Sequence, residues 1–318
     1  MVNMPSKKKT SINQACTLLA QGDLVVMPTE TVYGLAADAL NGHAVAKIYE
    51  LKKRPQFNPL IIHVSDYVQA QQWAYFTKVA EILATYFWHT QPSPLTLVLN
   101  KKPTNLSSLV TAGLETVAIR VPHHPVALDL LKAYGKPLAA PSANRSLHIS
   151  PTTTEAVHQS LGPRTPFILD GGPCQVGLES TILDLSGDVP VLLRPGGTPV
   201  EMLEEILGHA IHQEVGTTAI KAPGMMKRHY APQLPLRINC LHAEPGEAFL
   251  GFGHNDQPAH LNLSKTGDLK EAAANLFSML NELDKPGLFK GIAVMPIPLK
   301  GLGAALNDRL QRAASSES

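Results

Sequence analysis

Short apolar runs alternate along this chain with stretches whose apolar residues recur every three or four positions, a pattern that predicts an α/β protein. In "SINQACTLLAQGD", Ile12, Ala15, Cys16, Leu18 and Leu19 fall on one helical stripe, with Ser11 placed to cap it and Gly22 to stop it. "LVVMP" then reads as a buried strand, "HAVAKIYELKKR" as a helix, "PLIIHVS" as a strand and "TKVAEILATYFW" as a helix. Six more apolar segments, "PLTLVLN", "TVAIRVP", "PLAAPS", "PFILDGG", "STILDLS" and "VLLRPGG", are bounded by Pro or Gly and read as strands. Several follow one another with no helix between, which predicts a twisted mixed sheet with flanking helices rather than a purely parallel one.

The texture changes after about residue 210. "GTTAIKAPGMMKRHYAPQLPL" has little periodicity and reads as an ordered linker or lid over 214–235. It separates a domain over 1–213 from a smaller α/β domain over 236–318. In the smaller domain "LRINCL", "AFLGFG" and "GIAVMPIP" read as strands, and "GAALNDRLQRAAS" as a helix. Leu269, Ala273, Leu276, Leu280 and Leu283 form the apolar stripe of a long helix. The final "SSES" is expected to fray.

Composition narrows the function classes. The 318 residues are 44% hydrophobic and 17% charged, and 27 Lys and Arg against 26 Asp and Glu leave a net charge of +1. That balance argues against a surface-wide polyanion binder but leaves room for local cationic pockets. No stretch is apolar enough to span a membrane, and "MVNMPSKKKTSINQ" lacks the apolar core of a secretory signal, so a cytoplasmic location is expected. Cys16, Cys174 and Cys240 lie far apart, which argues against a zinc site or a disulfide framework.

Candidate chemistry concentrates between elements. "PTETVYGLAADA" leaves a buried strand with a run of hydroxyls ending at Gly34, and "LKKRP" gathers cations at a helix end. "APSANRS" offers Ser142, Asn144 and Arg145 among small neighbours that would let backbone N–H groups approach a phosphate. Each segment alone has a bland reading, as a polar turn or a helix C-terminus. Together, Lys52, Arg54, Arg120 and Arg194 at the edges of one sheet point to an anionic ligand, since arginine forks bind carboxylate and phosphate. Standard phosphate-loop, dinucleotide, HExxH and GxSxG signatures are absent.

In their order, "PTETVYGLAADA", "LKKRPQFNPLIIH", "PSPLTLVLN", "TVAIRVPHHP", "PLAAPSANRS", "GLESTILDLSG" and "LLRPGG" resemble the YrdC-like threonylcarbamoyl-AMP synthases over about residues 12–208. "APGMMKRHYAPQLPL" resembles the linker of their two-domain members, whose C-terminal domain is Rossmann-like. The resemblance implies formation of threonylcarbamoyl-AMP and pyrophosphate from L-threonine, bicarbonate or CO2, and ATP with Mg2+. A separate tRNA threonylcarbamoyl transferase complex would then modify the adenosine next to the anticodon. It implies electrostatic catalysis by Lys52 and Arg54 without a covalent nucleophile, and no metal ligand from protein side chains. ATP would meet Arg54, Asn58, Thr116, Ser142, Asn144, Ser150, Arg194 and Tyr230. Threonine would meet Thr31, His63, Arg120, the Ala140 backbone and Ser180. Lys53 and Leu147 stand where the family commonly has glycine, which predicts a backbone less free to take positive φ near Ser146. The alternative reading is an RNA-binding module without turnover; weak tRNA binding is compatible with either.

Overall fold

The computed structural model describes residues 6–213, 221–255 and 257–315. Its first ten strands are β1 (Val25–Met27), β2 (Gly34–Asp38), β3 (Ile61–His63), β4 (Leu95–Asn100), β5 (Thr116–Arg120), β6 (Leu138–Ala139), β7 (Phe167–Ile168), β8 (Thr181–Asp184), β9 (Val191–Arg194) and β10 (His212–Gln213). They join into one sheet in the order β10-β9-β8-β4-β5-β3-β6-β2-β1-β7. The sheet is mixed: β3 runs parallel to β5 and β4 to β8, while β4 and β5, β3 and β6, and β8 and β9 are antiparallel.

Alternation along the central strands divides their side chains between two faces. Ile62, Leu97, Leu99, Ile119 and Leu183 enter the main core, which also takes Val45 and Ile48 from the helix Gly42–Lys52 and Leu83 from the helix Lys78–Thr85. Their neighbours Ile61, Val98, Ala118 and Ile182 point the other way into a small apolar cluster with Ala222. That second face carries the candidate site.

Beyond the first sheet, β11 (Leu236–Arg237), β12 (Glu247–Gly251), β13 (Leu261–Asn262) and β14 (Gly291–Val294) form a parallel sheet in the order β11-β14-β12-β13. Residues 221–235 between the two sheets hold no helix or strand; the rest of the expected linker, 214–220, lies outside the described residues, as does most of "SSES". The long helix Leu269–Leu283 buries Ala273, Leu276, Leu280 and Leu283, and Asp268 caps it by accepting from the Lys270 and Glu271 N–H groups. Val32, Ile149 and Leu178 of the first domain join this second core, so the two domains share one apolar seam.

Several local expectations are corrected. The first helix is Ser6–Ala20, so Ser11 lies inside it and is not its cap; the residues before Ser11 continue the helical backbone. "TKVAEILATYFW" ends its α-helix at Thr85 and finishes as a π-helical turn, Tyr86–Thr90. "GLAAD", to which the sequence pattern assigns no element, is strand β2, buried at every position. No described helix is long and apolar enough to cross a membrane.

Candidate active site

Strand register builds the site. His63 on β3 pairs with Arg120 on β5, and Arg120 pairs with Thr96 on β4. Ser180, just before β8, completes this polar row through a 2.7 Å hydroxyl contact with Thr96. One cavity opens along the row. Arg54, His63, Arg120 and Ala140 line it, as do Ser142, Ser180, Arg194 and Tyr230, so eight of the expected residues come together.

The guanidiniums of Arg54 and Arg194 donate to carbonyl, amide and hydroxyl oxygens. Arg54 donates to the Asn58 carbonyl at 3.1 Å, to Asn58 Oδ1 at 2.6 Å and to the Pro59 carbonyl at 2.9 Å. Arg194 donates to the Ser180 carbonyl at 2.9 Å and to the Pro223 carbonyl at 3.2 Å. Burial lowers both guanidiniums, Arg54 to about 10, which still leaves Arg54 charged at neutral pH. Arg120 differs: its Nη2 lies 2.5 Å from Glu30 and 2.9 Å from the Thr31 hydroxyl. Polar atoms without a partner collect here, namely His63 Nδ1, Arg120 Nε, His229 Nδ1 and the Tyr230 hydroxyl. Such atoms in a buried pocket are what a bound polar ligand would satisfy. Burial, aided by the Arg120 charge, pushes His63 down to about 3, so its imidazole is neutral.

The remaining expected residues support the walls. Lys52 braces the wall: its Nζ donates to the Ser142 and Asn144 carbonyls at 2.5 and 2.6 Å and to Asn144 Oδ1 at 3.2 Å. Burial, with the Arg54 charge, lowers its ammonium well below the ordinary value. Asn144 is likewise consumed, accepting from Lys52 and Ser142 and donating to the His148 carbonyl at 2.8 Å. The expected phosphate-facing N–H groups of this turn are engaged too: Ala143 N–H donates to the Tyr33 carbonyl, Arg145 N–H to Ser160 and Ser146 N–H to the Lys52 carbonyl. Buried Asn58 orients Arg54, and buried Thr31 supports Arg120. Ser150 donates to Glu179 at 2.6 Å. Thr116 stands apart at the start of β5, opposite Asn100, four residues and roughly 13 Å along the strand from Arg120.

Both replaced glycine positions adopt the conformation that glycine favours, against expectation. Lys53 has φ 52° and Leu147 has φ 72°. Lys53 caps its helix with its N–H directed at the Tyr49 and Glu50 carbonyls, and the Leu147 carbonyl accepts from Ala231 N–H at 2.8 Å. These bonds offset a left-handed backbone that costs an ordinary residue about 1–2 kcal/mol.

The 221–235 segment roofs the cavity with Pro223, Gly224, His229 and Tyr230. Gly224 has φ 85°, and a Cβ there would sit 2.8 Å from the Arg194 side chain, so glycine lets the roof approach the cation. The second domain holds this roof. Tyr230 stacks on Phe277, Arg312 donates to the Met226 carbonyl at 2.6 Å, and His229 N–H donates to the Arg312 carbonyl. Glu30, Glu179, His229 and Arg309 were not singled out as site residues from sequence. Glu30 and His229 lie in segments where hydroxyls and a tyrosine are the stronger local signal, whereas nothing local marks Arg309. No group of three or more metal-ligating side chains exists among the described residues, and Glu30 and Glu179 are paired with arginines.

A mixed sheet presenting the buried guanidiniums of Arg54, Arg120 and Arg194 to one cavity, roofed by a segment that a second domain holds, defines a two-domain α/β protein with an arginine-lined pocket. Residues 17–196 match the Sua5/YciO/YrdC family, described as telomere recombination, and residues 198–315 match the threonylcarbamoyl-AMP synthase C-terminal domain. The chain is 41% identical to a threonylcarbamoyl-AMP synthase of Bacillus subtilis, covering 97% of this chain and 94% of that one. It is 40% identical to one of Pyrococcus abyssi, covering 95% and 94%. The crystal structure of P. abyssi Sua5 complexed with L-threonine superposes with a TM-score of 0.87 at 38% identity, covering 95% of this chain and 94% of that one. The chain belongs to the threonylcarbamoyl-AMP synthase family, in its two-domain form.

Proposed function

We propose that this protein forms threonylcarbamoyl-AMP and pyrophosphate from L-threonine, bicarbonate or CO2, and ATP. The observation that carries the reading is the pair of buried guanidiniums, Arg54 and Arg194, bonded to neutral oxygens and lining one cavity. The threonine amine adds to CO2 and loses a proton, giving a carbamate. A carbamate oxygen attacks the α-phosphorus of ATP, and the bond to the departing pyrophosphate breaks. Two anions must meet, so fixed cations lower their repulsion and stabilise charge in the transition state. Neutral His63 beside Arg120 leaves the threonine end of the cavity free of a second cation. Magnesium enters as part of the MgATP substrate, carried by its phosphates. The product passes to a tRNA threonylcarbamoyl transferase complex in the cytoplasm, with weak tRNA binding as a further contact.

The test is pyrophosphate release by the purified protein with threonine and bicarbonate omitted in turn, the product being identified by mass. Release is expected only with both present, and Arg54→Ala should lower it by at least about 100-fold, the scale of losing a transition-state donor. Release that ignores threonine would overturn the reading.

A further inference from the structure

The cavity contains one carboxylate that an anion site should not tolerate. Glu179 lines it, next to Ser180, whose carbonyl holds Arg194. Its Oε1 accepts from Ser150 at 2.6 Å, and its Oε2 accepts from Arg309 Nε at 2.8 Å. Arg309 comes from the helix Leu302–Ala314 of the second domain, and its side chain is 0% exposed. The guanidinium also lies 5.0 Å from the centre of the Tyr230 ring, Nη1 is bonded to Asp308, and Nη2 has no partner. A fully buried arginine thus crosses the domain boundary to touch both a wall and the roof of the cavity.

We propose that Arg309 is a positioning residue through which the second domain completes the nucleotide site, neutralising Glu179 so that this carboxylate can orient Ser150 without repelling ATP. The inference rests on the adenylate-forming reading above. The groups facing Glu179 are Arg309 on the helix, itself paired with Asp308, Ser150, Arg194 at the end of β9, and His229 and Tyr230 in the roof. Burial alone would raise the Glu179 carboxyl, but Arg309 and Arg194 hold it down to about 2. His229 is neutral above about 3, and burial raises the Tyr230 phenol, so neither changes charge between pH 6 and 8.

The experiment compares steady-state kinetics of the full-length protein, Arg309→Met, and the Arg309→Met/Glu179→Gln pair. In Arg309→Met, the KM for ATP should rise about ten-fold at pH 8 while that for threonine changes less than about two-fold, because an uncompensated charge then faces the phosphates. That rise should shrink as pH falls to 6, since the unpaired, buried carboxyl regains a proton. The double variant should recover most of the ATP affinity. An unchanged ATP KM in Arg309→Met, or a defect that Glu179→Gln does not relieve, overturns the proposal. If Arg309→Met does not fold, the double variant decides alone: near-normal ATP affinity supports the proposal and a ten-fold loss sinks it. Threonine-dependent turnover by the unmodified protein reports on the adenylate reading separately.

Discussion

His63 shows how burial sets the behaviour of a single residue. Its imidazole titrates near 3 in the native state, against an ordinary value of 6.5, because burial and then the neighbouring Arg120 disfavour the cation. Between those values the unfolded chain binds the additional proton. The stability linked to His63 is therefore fully present above about pH 6.5 and is lost as pH falls toward 3, by up to about 1.4 kcal/mol per pH unit. Replacing His63 with Asn should narrow the gap between melting temperatures measured at pH 7 and pH 5; an equally wide gap would show that this imidazole is not the titrating group. Arg54, Arg120 and Arg194 were legible only in combination, because a single guanidinium at a strand or helix end ordinarily faces water or offsets a helix dipole. Lys52 reads the same way in sequence, yet its ammonium is spent on the Ser142 and Asn144 carbonyls. Which way a cation turns depends on which backbone oxygens reach it first.

At the scale of elements, the antiparallel β8 and β9 bring Ser180 and Arg194 together, and Gly196 makes their closeness possible. A Cβ at Gly196 would lie 2.4 Å from the Glu179 carbonyl oxygen and from the backbone of Ser180 and Thr181, none of which is a movable side-chain end. Gly196→Ala should destabilise the protein by about 1–3 kcal/mol and weaken ATP binding, whereas Gly187→Ala, which meets nothing within 4 Å, should do neither. Denaturant unfolding of the two variants side by side checks this; equal stabilities would mean the turn yields without strain. Most strands were legible as apolar runs ended by Pro or Gly. β2 was not, because "GLAAD" is made of small residues with little strand propensity and is a strand only through pairing with β1 and β6.

For the whole molecule, the second domain acts on the site through two helices, Leu269–Leu283 by the Tyr230–Phe277 stack and Leu302–Ala314 by its charged residues. Asp308 orients Arg312, which fastens the roof at Met226, while Arg309 reaches the cavity wall. Arg312→Met should loosen the roof without unfolding the protein, seen as trypsin cleavage at Lys227 or Arg228 that is several-fold faster at nearly unchanged melting temperature. Cleavage at the original rate would locate the tether elsewhere, in the Tyr230–Phe277 stack. The sequence by itself determined the α/β character, the positions of the two sheets and the ordered set of polar segments, because periodicity and turn chemistry are properties of neighbouring residues. Only the tertiary structure decided that Lys52 and Asn144 brace a turn and that Thr116 stands away from the cavity. It alone joined Arg309 to Glu179 across 130 positions of chain. Contacts of that reach depend on how sheets and helices pack, and no local pattern encodes them.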